Sequence, residues 1–234
     1  MTPQVASASV CHPAARLLVF AKAPVAGRVK TRLIEMYGRQ GAAMLYQRLL
    51  RRTLVTAVHA RAAPVELWVT PGRAHPWLAA RAREHGLVVR VQMTGDLGQR
   101  MHRALRWTLR TAPFAAIIGG DCAALTPWQL RQAFDWLADG ADAVFGPAED
   151  GGYVLVGLRR PQPMLFHAMP WGGGEVMAAT RKRLRRLGLR WVTLPLSFDI
   201  DCPSDLVRLR RESASAFGTL AAAKYPTPAT ATGR

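Results

Sequence analysis

Apolar runs of strand length alternate with longer amphipathic runs along most of this chain. Short apolar runs bounded by turn residues predict strands, whereas apolar positions that recur every three or four residues predict helices. The pair Thr126-Pro127 marks one helix start, because threonine caps helices and proline suits the first turn. The predicted strands cover residues 16–23, 65–71, 88–93, 114–121, 141–148, 153–158 and 190–196, and the predicted helices cover residues 38–60, 77–86, 101–112, 128–140 and about 175–187, with a short helix after Pro203.

This alternation predicts an α/β fold: one domain with a mostly parallel sheet and helices on both faces. Only four residues, EDGG, separate the strands at 141–148 and 153–158. Because a parallel pair needs a longer crossover connection, we expect an antiparallel element near residues 141–158. In such sheets ligands lie outside the carboxyl ends of the strands, so polar residues at those ends are the first candidates for a site.

The two ends of the chain differ in composition from its middle. Residues 1–14 and 212–234 are rich in Ala, Thr, Ser and Pro and lack apolar periodicity, so we expect flexible tails around a domain at 15–211. No window approaches the roughly 18 apolar residues of a membrane span, and the N-terminus does not resemble a secretory signal. The sequence therefore favours a cytoplasmic protein without a membrane span, and it leaves the oligomeric state open.

The net charge of +17 comes mainly from arginine and attracts anionic ligands. The densest basic run, RKRLRRLGLR at 181–190, carries interleaved leucines. This pattern is typical of an amphipathic helix with a solvated basic face, and a nucleic-acid-binding surface is the less favoured interpretation.

The loop after the first strand, in FAKAPVAGRVKTRL, combines small residues with several cations. It is not a Walker A loop, because Val29 and not glycine precedes Lys30. A loop of this kind can turn backbone amides and basic side chains toward phosphates, although a solvated basic loop has the same composition. The candidate nucleotide-binding residues here are Lys22, Ala23, Pro24, Gly27, Lys30 and Arg32.

Carboxylates follow two of the other predicted strands. Asp121 ends the strand in IIGGD, and Asp201 lies in FDIDCPSDL near the last strand. Carboxylates at strand ends suit a hard cation, so we expect Mg²⁺ or Mn²⁺ at Asp121 and Asp201. Either could instead cap a turn or a helix, and this alternative is stronger for Asp201. Zinc is not favoured, because the histidines and cysteines form no cluster.

Three further loops carry polar or aromatic candidates. In TGDLGQRM, Asp96 and Arg100 either start a helix or contact the nucleotide. In MPWGGGE, Trp171 could line a pocket. The turn EDGGY holds Asp150, Gly151, Gly152 and Tyr153; its glycines serve the turn alone, or they let a ligand approach while Asp150 accepts hydrogen bonds from hydroxyls.

Five segments, FAKAPVAGRVKTRL, GDLGQRM, GGDCAALTP, GPAEDGGYVLVGL and FDIDCPSDL, stand in the order typical of the DUF2064 family, which the chain resembles from about residue 16 to 210. Members are glycosyltransferase-like proteins, some linked to arsenosugar biosynthesis. The resemblance implies the GT-A fold of nucleotide-diphospho-sugar transferases, which is Rossmann-like. That fold also houses nucleotidyltransferases, such as the similar phospholactate guanylyltransferases.

The resemblance also implies roles for individual residues. Lys22, Lys30 and Arg32 face nucleotide phosphates, and Asp121 and Asp201 match acidic metal positions. Asp150 to Tyr153 match the acceptor or sugar side. The chain departs from the family's usual GTDCP, since Gly120 and Ala123 replace threonine and proline, and glycines replace the hydroxyl residues normally found after Trp171.

The residues and the resemblance together leave three candidate functions for this chain. The first is a metal-dependent transferase that uses a nucleotide-activated sugar and a small-molecule acceptor, with Asp150 as base or hydroxyl anchor and Lys30 and Arg32 stabilising the leaving group. The second joins a nucleoside triphosphate to a phosphorylated acceptor and releases pyrophosphate. The third, a nucleic-acid-binding protein, is not favoured.

Overall fold

A computed structural model describes residues 9–72 and 75–198, together with residues 200, 205 and 208. This part of the chain contains a seven-stranded sheet with the order β3-β2-β1-β4-β6-β5-β7. The strands are β1 (Arg16–Lys22), β2 (Val65–Thr70), β3 (Val88–Val91), β4 (Ala115–Gly119), β5 (Ala143–Pro147), β6 (Tyr153–Leu158) and β7 (Trp191–Thr193).

Helices connect most of these strands. The long first helix is interrupted at Gly38, whose backbone is not helical (φ 68°, ψ 169°). Short 3-10 helices lie at Thr31–Leu33 and Pro163–Leu165. The α-helices are α1 (Ile34–Ala60), α2 (Pro76–Glu84), α3 (Leu97–Thr108), α4 (Pro127–Ala138) and α5 (Val176–Arg186).

The sheet is parallel except at β6. That strand pairs antiparallel with both β4 and β5, whereas β1 pairs parallel with β2 and β4, and β5 pairs parallel with β7. The predicted mostly parallel sheet and its antiparallel element near 141–158 are thus confirmed. Of the predicted short helix after Pro203, only residues 205 and 208 are among the described residues, and both are helical.

One helix begins earlier than its apolar pattern suggested. The third helix was predicted from residue 101, but α3 starts at Leu97. The carboxylate of Asp96 accepts a hydrogen bond from the Gln99 amide at 2.8 Å, and the Gln99 side chain bonds back to the Asp96 amide. This capping box satisfies backbone donors that would otherwise lack partners in the first turn.

Helices cover both faces of the sheet, as predicted. On β1, Leu17 and Val19 join an apolar cluster with α1, α2 and α4, whereas Leu18 joins a second cluster with α3 and α5. This alternation follows from the two-residue period of a strand. Both clusters are buried, so β1 reads as a nearly continuous apolar run and not as an alternating one.

The topology brings several strand ends to one edge of the sheet. Strands β1 to β4 run parallel, so their carboxyl ends and the residues that follow them lie along this edge, while the antiparallel β6 begins there.

Part of the segment predicted as a flexible N-terminal tail is hydrogen-bonded to the rest of the domain. The backbone amides of Cys11 and His12 donate to the carbonyls of Arg61 and Ala62, which follow α1. None of the described helices is both long and apolar enough to cross a membrane.

Candidate active site

A cavity of about 330 Å³ opens at the carboxyl ends of β1 and β4. The loop after β1 forms one wall, the turn after β4 forms another, and the first turn of α3 closes one side. A parallel sheet places ligand sites at this edge. The cavity is lined by Phe20, Ala21, Lys22, Arg28, Val29, Lys30, Thr31, Tyr46, Gln92, Leu97, Arg100, Gly119, Gly120 and Asp121.

A second cavity, of about 280 Å³, adjoins the first at the ends of β1 and β2. Lys22, Arg28 and Arg100 line both cavities. None of these three side chains forms an ion pair with a carboxylate of the described residues. The boundary between the cavities therefore carries positive charge that the described part of the protein does not neutralise, which favours an anionic ligand.

Lys30 and Asp121 form an ion pair across the first cavity. Lys30 Nζ lies 2.8 Å from Asp121 Oδ2, and the Lys30 side chain is 7% exposed whereas that of Asp121 is 35% exposed. The Lys30 backbone is left-handed, with φ 44° and ψ 47°, a conformation that costs energy for a residue with a Cβ. The fold thus holds an ammonium group against Asp121, whose carboxylate is the only one that the described residues contribute to the cavity lining.

Tyr46 of α1 supports the loop from beneath. Its hydroxyl accepts a hydrogen bond from the Lys22 amide at 2.9 Å. Burial is the main cause that raises the pKa of Tyr46 above its ordinary value, and the negative charge of Asp121 adds to it. Tyr46 is therefore a neutral phenol that fixes the end of β1.

Gly120 sits where the family pattern usually has threonine. Its amide donates to the Phe20 carbonyl at 2.7 Å, and a Cβ at this position would lie 2.9 Å from the same oxygen and 3.0 Å from Leu50 Cδ1. The close approach of β1 and the turn after β4 thus requires glycine in this chain. Asp121 is the next residue, so this contact fixes the position of the Asp121 backbone, from which its side chain extends into the cavity wall.

Gln92 and Arg100 form a polar pair on the opposite wall. Gln92 directly follows β3, is buried, and donates through Nε2 to the Trp68 carbonyl at 2.9 Å and the Ala21 carbonyl at 3.4 Å. Its Oε1 accepts a hydrogen bond from Arg100 Nη1 at 2.9 Å. The arginine is therefore linked through one side chain to the backbone of β1 and β2.

The turn that carries Asp150 is held by its own backbone. Asp150 Oδ1 accepts a hydrogen bond from the Gly152 amide at 2.8 Å, and the Gly151 carbonyl accepts one from the Met177 amide at 2.8 Å. Gly151 has φ 82°, and a Cβ there would lie 1.8 Å from the Gly174 carbonyl oxygen. At least Gly151 is thus required by packing, whatever ligand approaches the turn.

Tyr153 and Trp171 pack edge to face, with ring centroids 6.1 Å apart. Within the described part of the chain, neither the Tyr153 hydroxyl nor Trp171 Nε1 has a hydrogen-bond partner, and both atoms are buried. Burial raises the pKa of Tyr153, so its phenol is neutral. Trp171 Nε1 would lie 2.7 Å from a Cβ at Gly98, so only a glycine in α3 admits the indole here.

The structure brings some of the sequence candidates together and leaves others apart. Lys22, Lys30, Arg100 and Asp121 line the first cavity, and Ala23 lines the second. Asp96 caps α3, and Arg32 is exposed. Asp201 lies outside the described residues. The remaining candidates line neither of these two cavities: Pro24, Gly27, Asp150, Gly151, Gly152, Tyr153 and Trp171.

Ten residues that line the first cavity were not among the sequence candidates, and Arg28, Tyr46 and Gln92 are the ones to which the geometry gives a clear polar role. Arg28 stands in the basic loop and could have been included on charge alone. Gln92 had a weaker signal, a polar residue directly after a strand. Tyr46 had none, because in the sequence it is one more apolar position of a long helix.

The model of the DUF2064 family, described as uncharacterized proteins conserved in bacteria, matches residues 53–173, which is more than half of the chain. The chain belongs to this family. None of the functionally curated proteins matches it significantly.

Solved structures resemble this DUF2064 protein over nearly its whole length. A candidate nucleotide-diphospho-sugar transferase from Desulfovibrio desulfuricans G20 is 29% identical, with a TM-score of 0.79 over 89% of this chain and 91% of the other. A cytidylyltransferase from Leptospira borgpetersenii serovar Hardjo-bovis is 13% identical, with a TM-score of 0.54 over 92% and 100% of the two chains. The CMP:2-keto-3-deoxy-manno-octonic acid synthetase in complex with CTP is 12% identical, with a TM-score of 0.55 over 86% and 99%. The DUF2064 protein therefore has the Rossmann-like fold of nucleotide-sugar transferases and nucleotidyltransferases.

Proposed function

We propose that this protein is a transferase that binds a nucleotide-activated donor in the first cavity and passes the activated group to a small acceptor. The observation that carries the proposal is the set of cations at the boundary of the two cavities. Lys22, Arg28 and Arg100 converge there without a carboxylate partner among the described residues. A diphosphate or triphosphate supplies the charge that this arrangement lacks.

A nucleotide-activated sugar is the donor that we favour. The similarity to the Desulfovibrio protein, at 29% identity over most of both chains, supports this choice. In this reaction an acceptor hydroxyl attacks the anomeric carbon, the bond from that carbon to the phosphate oxygen breaks, and nucleoside diphosphate leaves. Positive side chains beside the leaving diphosphate lower the barrier, because negative charge develops on it in the transition state.

A divalent cation, Mg²⁺ or Mn²⁺, fits the donor chemistry of Asp121. Its carboxylate is one-third exposed at the cavity wall, and Mg²⁺ in nucleotide sites commonly takes one or two protein carboxylates with phosphate and water as the other ligands. The described residues contain no cluster of three or more side chains that could hold a metal ion, and substrate phosphates would supply further ligands. When bound, the ion supplies charge neutralisation at the diphosphate. Asp201 is the second proposed ligand.

The remaining roles are assigned to this chain's own side chains. Lys30 and Arg32 add positive charge on the side of the leaving group, as the family resemblance implies. Asp150 is the proposed base or hydroxyl anchor for the acceptor. The Gly151–Tyr153 turn and Trp171 are proposed to face the acceptor.

Nucleotidyl transfer is the second candidate. One observation favours it: among the described residues, the first cavity is lined by four cations, Lys22, Arg28, Lys30 and Arg100, and by one carboxylate, Asp121. A triphosphate carries more negative charge than a nucleotide sugar and would use more of these cations. In that reaction a phosphorylated acceptor attacks the α-phosphorus, and pyrophosphate leaves.

Phosphorus-31 NMR with Mg²⁺ or Mn²⁺ separates the two reactions. The protein is incubated with pooled nucleotide sugars and then with pooled nucleoside triphosphates, each with phosphorylated and hydroxylated acceptors. Nucleoside diphosphate released from a nucleotide sugar supports the favoured reaction, and pyrophosphate released only from triphosphates replaces it with the second. The Arg28→Met variant should lose donor binding, while Arg131→Met, which removes an exposed charge of α4 outside both cavities, should not. Equal behaviour of the two variants would contradict the proposed phosphate position.

A further inference from the structure

We infer that Gln92 is the positioning residue for Arg100, which it holds in place to bind the phosphates of the donor. The inference rests on the proposed function, since it assigns a task within the same cavity. Gln92 was not predicted from the sequence as a site residue, and neither of the two proposed transfer reactions requires it to touch the substrate.

The orientation of the Gln92 amide is fixed by its three hydrogen bonds. Nε2 lies 2.9 Å from the Trp68 carbonyl and 3.4 Å from the Ala21 carbonyl, and Oε1 lies 2.9 Å from Arg100 Nη1. A flipped amide would set its oxygen against two carbonyl oxygens and its NH₂ against a guanidinium donor. One orientation alone satisfies all partners.

Burial makes this arrangement rigid. Gln92 is 7% exposed, and its backbone amide also bonds to the Val69 carbonyl at 2.9 Å. A buried amide with all of its groups satisfied is costly to move, because motion would leave polar atoms unpaired. The side chain therefore transfers the rigidity of the sheet to the first turn of α3.

The bonds to Arg100 leave part of its guanidinium available. Nη1 bonds to Gln92, Nε bonds to the Asp96 carbonyl at 3.4 Å, and Nη2 has no protein partner in the described part of the chain. Arg100 lines both cavities. Both of its partners are neutral oxygens, so they orient the guanidinium without cancelling its charge. A carboxylate in the place of Gln92 would still accept from Arg100 but would neutralise it, and its second oxygen would face the carbonyl oxygens of Trp68 and Ala21.

Calorimetric titration with inorganic pyrophosphate at low ionic strength tests the inference through a double-mutant cycle. We expect Arg100→Met to weaken binding by about tenfold, as expected for the loss of one charge-assisted hydrogen bond. Gln92→Met, which keeps the shape but removes both polar groups, should weaken it several-fold. The double variant should bind no more weakly than Arg100→Met alone, because Gln92 acts only through the arginine.

Two further variants separate positioning from simple stabilisation. Thr180→Val removes a buried hydroxyl that donates to the Val176 carbonyl at 2.8 Å in α5, so it should lower the melting temperature without changing pyrophosphate affinity. Gln92→Glu keeps an acceptor for Arg100 but neutralises it, so it should bind pyrophosphate more weakly than Gln92→Met. It also serves if Gln92→Met does not fold.

The outcomes distinguish this inference from the function on which it rests. If the wild type does not bind pyrophosphate, or if Arg100→Met binds it as the wild type does, the proposed phosphate position is wrong and the inference falls with it. If Arg100→Met is weakened while Gln92→Met or Gln92→Glu binds normally, only the positioning role is overturned. Losses that multiply in the double variant would likewise overturn it.

Discussion

The ammonium group of Lys30 lies 2.8 Å from Oδ2 of Asp121, the carboxylate to which we assign the divalent cation. The protein thus pairs this carboxylate with its own lysine. A metal ion that approaches Asp121 therefore meets the positive charge of the Lys30 ammonium group. Cation binding and the position of Lys30 are therefore linked.

Lys30→Met tests this link. Without the ammonium, Asp121 presents its full negative charge, so Mn²⁺ should bind several-fold more tightly when no nucleotide is present. Donor binding should weaken in the same variant, because one cation of the cavity is lost. Titration of Mn²⁺ followed by electron paramagnetic resonance measures the first effect. Asp121→Asn is the control and should abolish the binding; unchanged Mn²⁺ affinity in Lys30→Met would mean that the two cations do not compete.

Asp150→Asn separates the chemical role of Asp150 from its role in the turn. The asparagine oxygen can still accept the hydrogen bond from the Gly152 amide, which is 2.8 Å long in the wild type, so the melting temperature should change little. If Asp150 is the base for the acceptor, kcat should fall by about 10²–10⁴ while donor affinity is preserved. Full activity in this variant would remove Asp150 from the reaction and leave it a turn residue.

Gly151→Ala should destabilise the protein more than Gly172→Ala does. The two glycines have nearly the same positive φ, 82° and 84°, but a Cβ at Gly151 would lie 1.8 Å from the Gly174 carbonyl whereas one at Gly172 meets nothing within 4 Å. The conformational cost is common to both, about 1–2 kcal/mol. The clash should raise the loss at Gly151 to about 3 kcal/mol or more. Chemical denaturation measures both values, and equal losses would show that the turn can move away from Gly174.

Two buried tyrosines should respond differently to replacement by phenylalanine. Tyr46→Phe removes the bond to the Lys22 amide and should cost about 1 kcal/mol at neutral pH. Tyr153→Phe removes a buried hydroxyl that has no partner in the described part of the chain, so stability at neutral pH should stay the same or rise. Thermal denaturation at pH 7 compares the two, and a large loss in Tyr153→Phe would reveal a partner for its hydroxyl.

The same tyrosines predict loss of stability in alkali. Burial raises the pKa of Tyr153 above that of the unfolded chain, which is about 10. The folded protein then keeps a proton that the unfolded chain releases, so this contribution is complete below pH ~10 and is lost as the pH rises toward the folded-state pKa. Tyr153→Phe should therefore flatten the decline of unfolding free energy above pH ~10. An unchanged slope would mean that Tyr153 does not ionise on unfolding in that range.

The sequence predicted the strands well because burial on both faces makes them continuous apolar runs, as in β1. The reversed strand was predictable from a connection too short for a crossover. The insertion of β6 between β4 and β5 was not, since local pattern carries no information about which strands pair. The place of Gln92 in the site was not predictable for a related reason. Its burial depends on carbonyl groups of β1 and β2, which are remote in sequence.

The reversed strand β6 also affects how this protein can diversify. In a wholly parallel sheet, a change at the site edge alters the loop between a strand and its helix, and the helix packing moves with it. Here residues 148–152 join two neighbouring strands at that edge with no helix between them. An insertion in this turn would reshape the surface beside the cavity while the sheet and its helices keep their places. Because we propose that this turn faces the acceptor, such an insertion would change acceptor choice without moving the residues that line the two cavities.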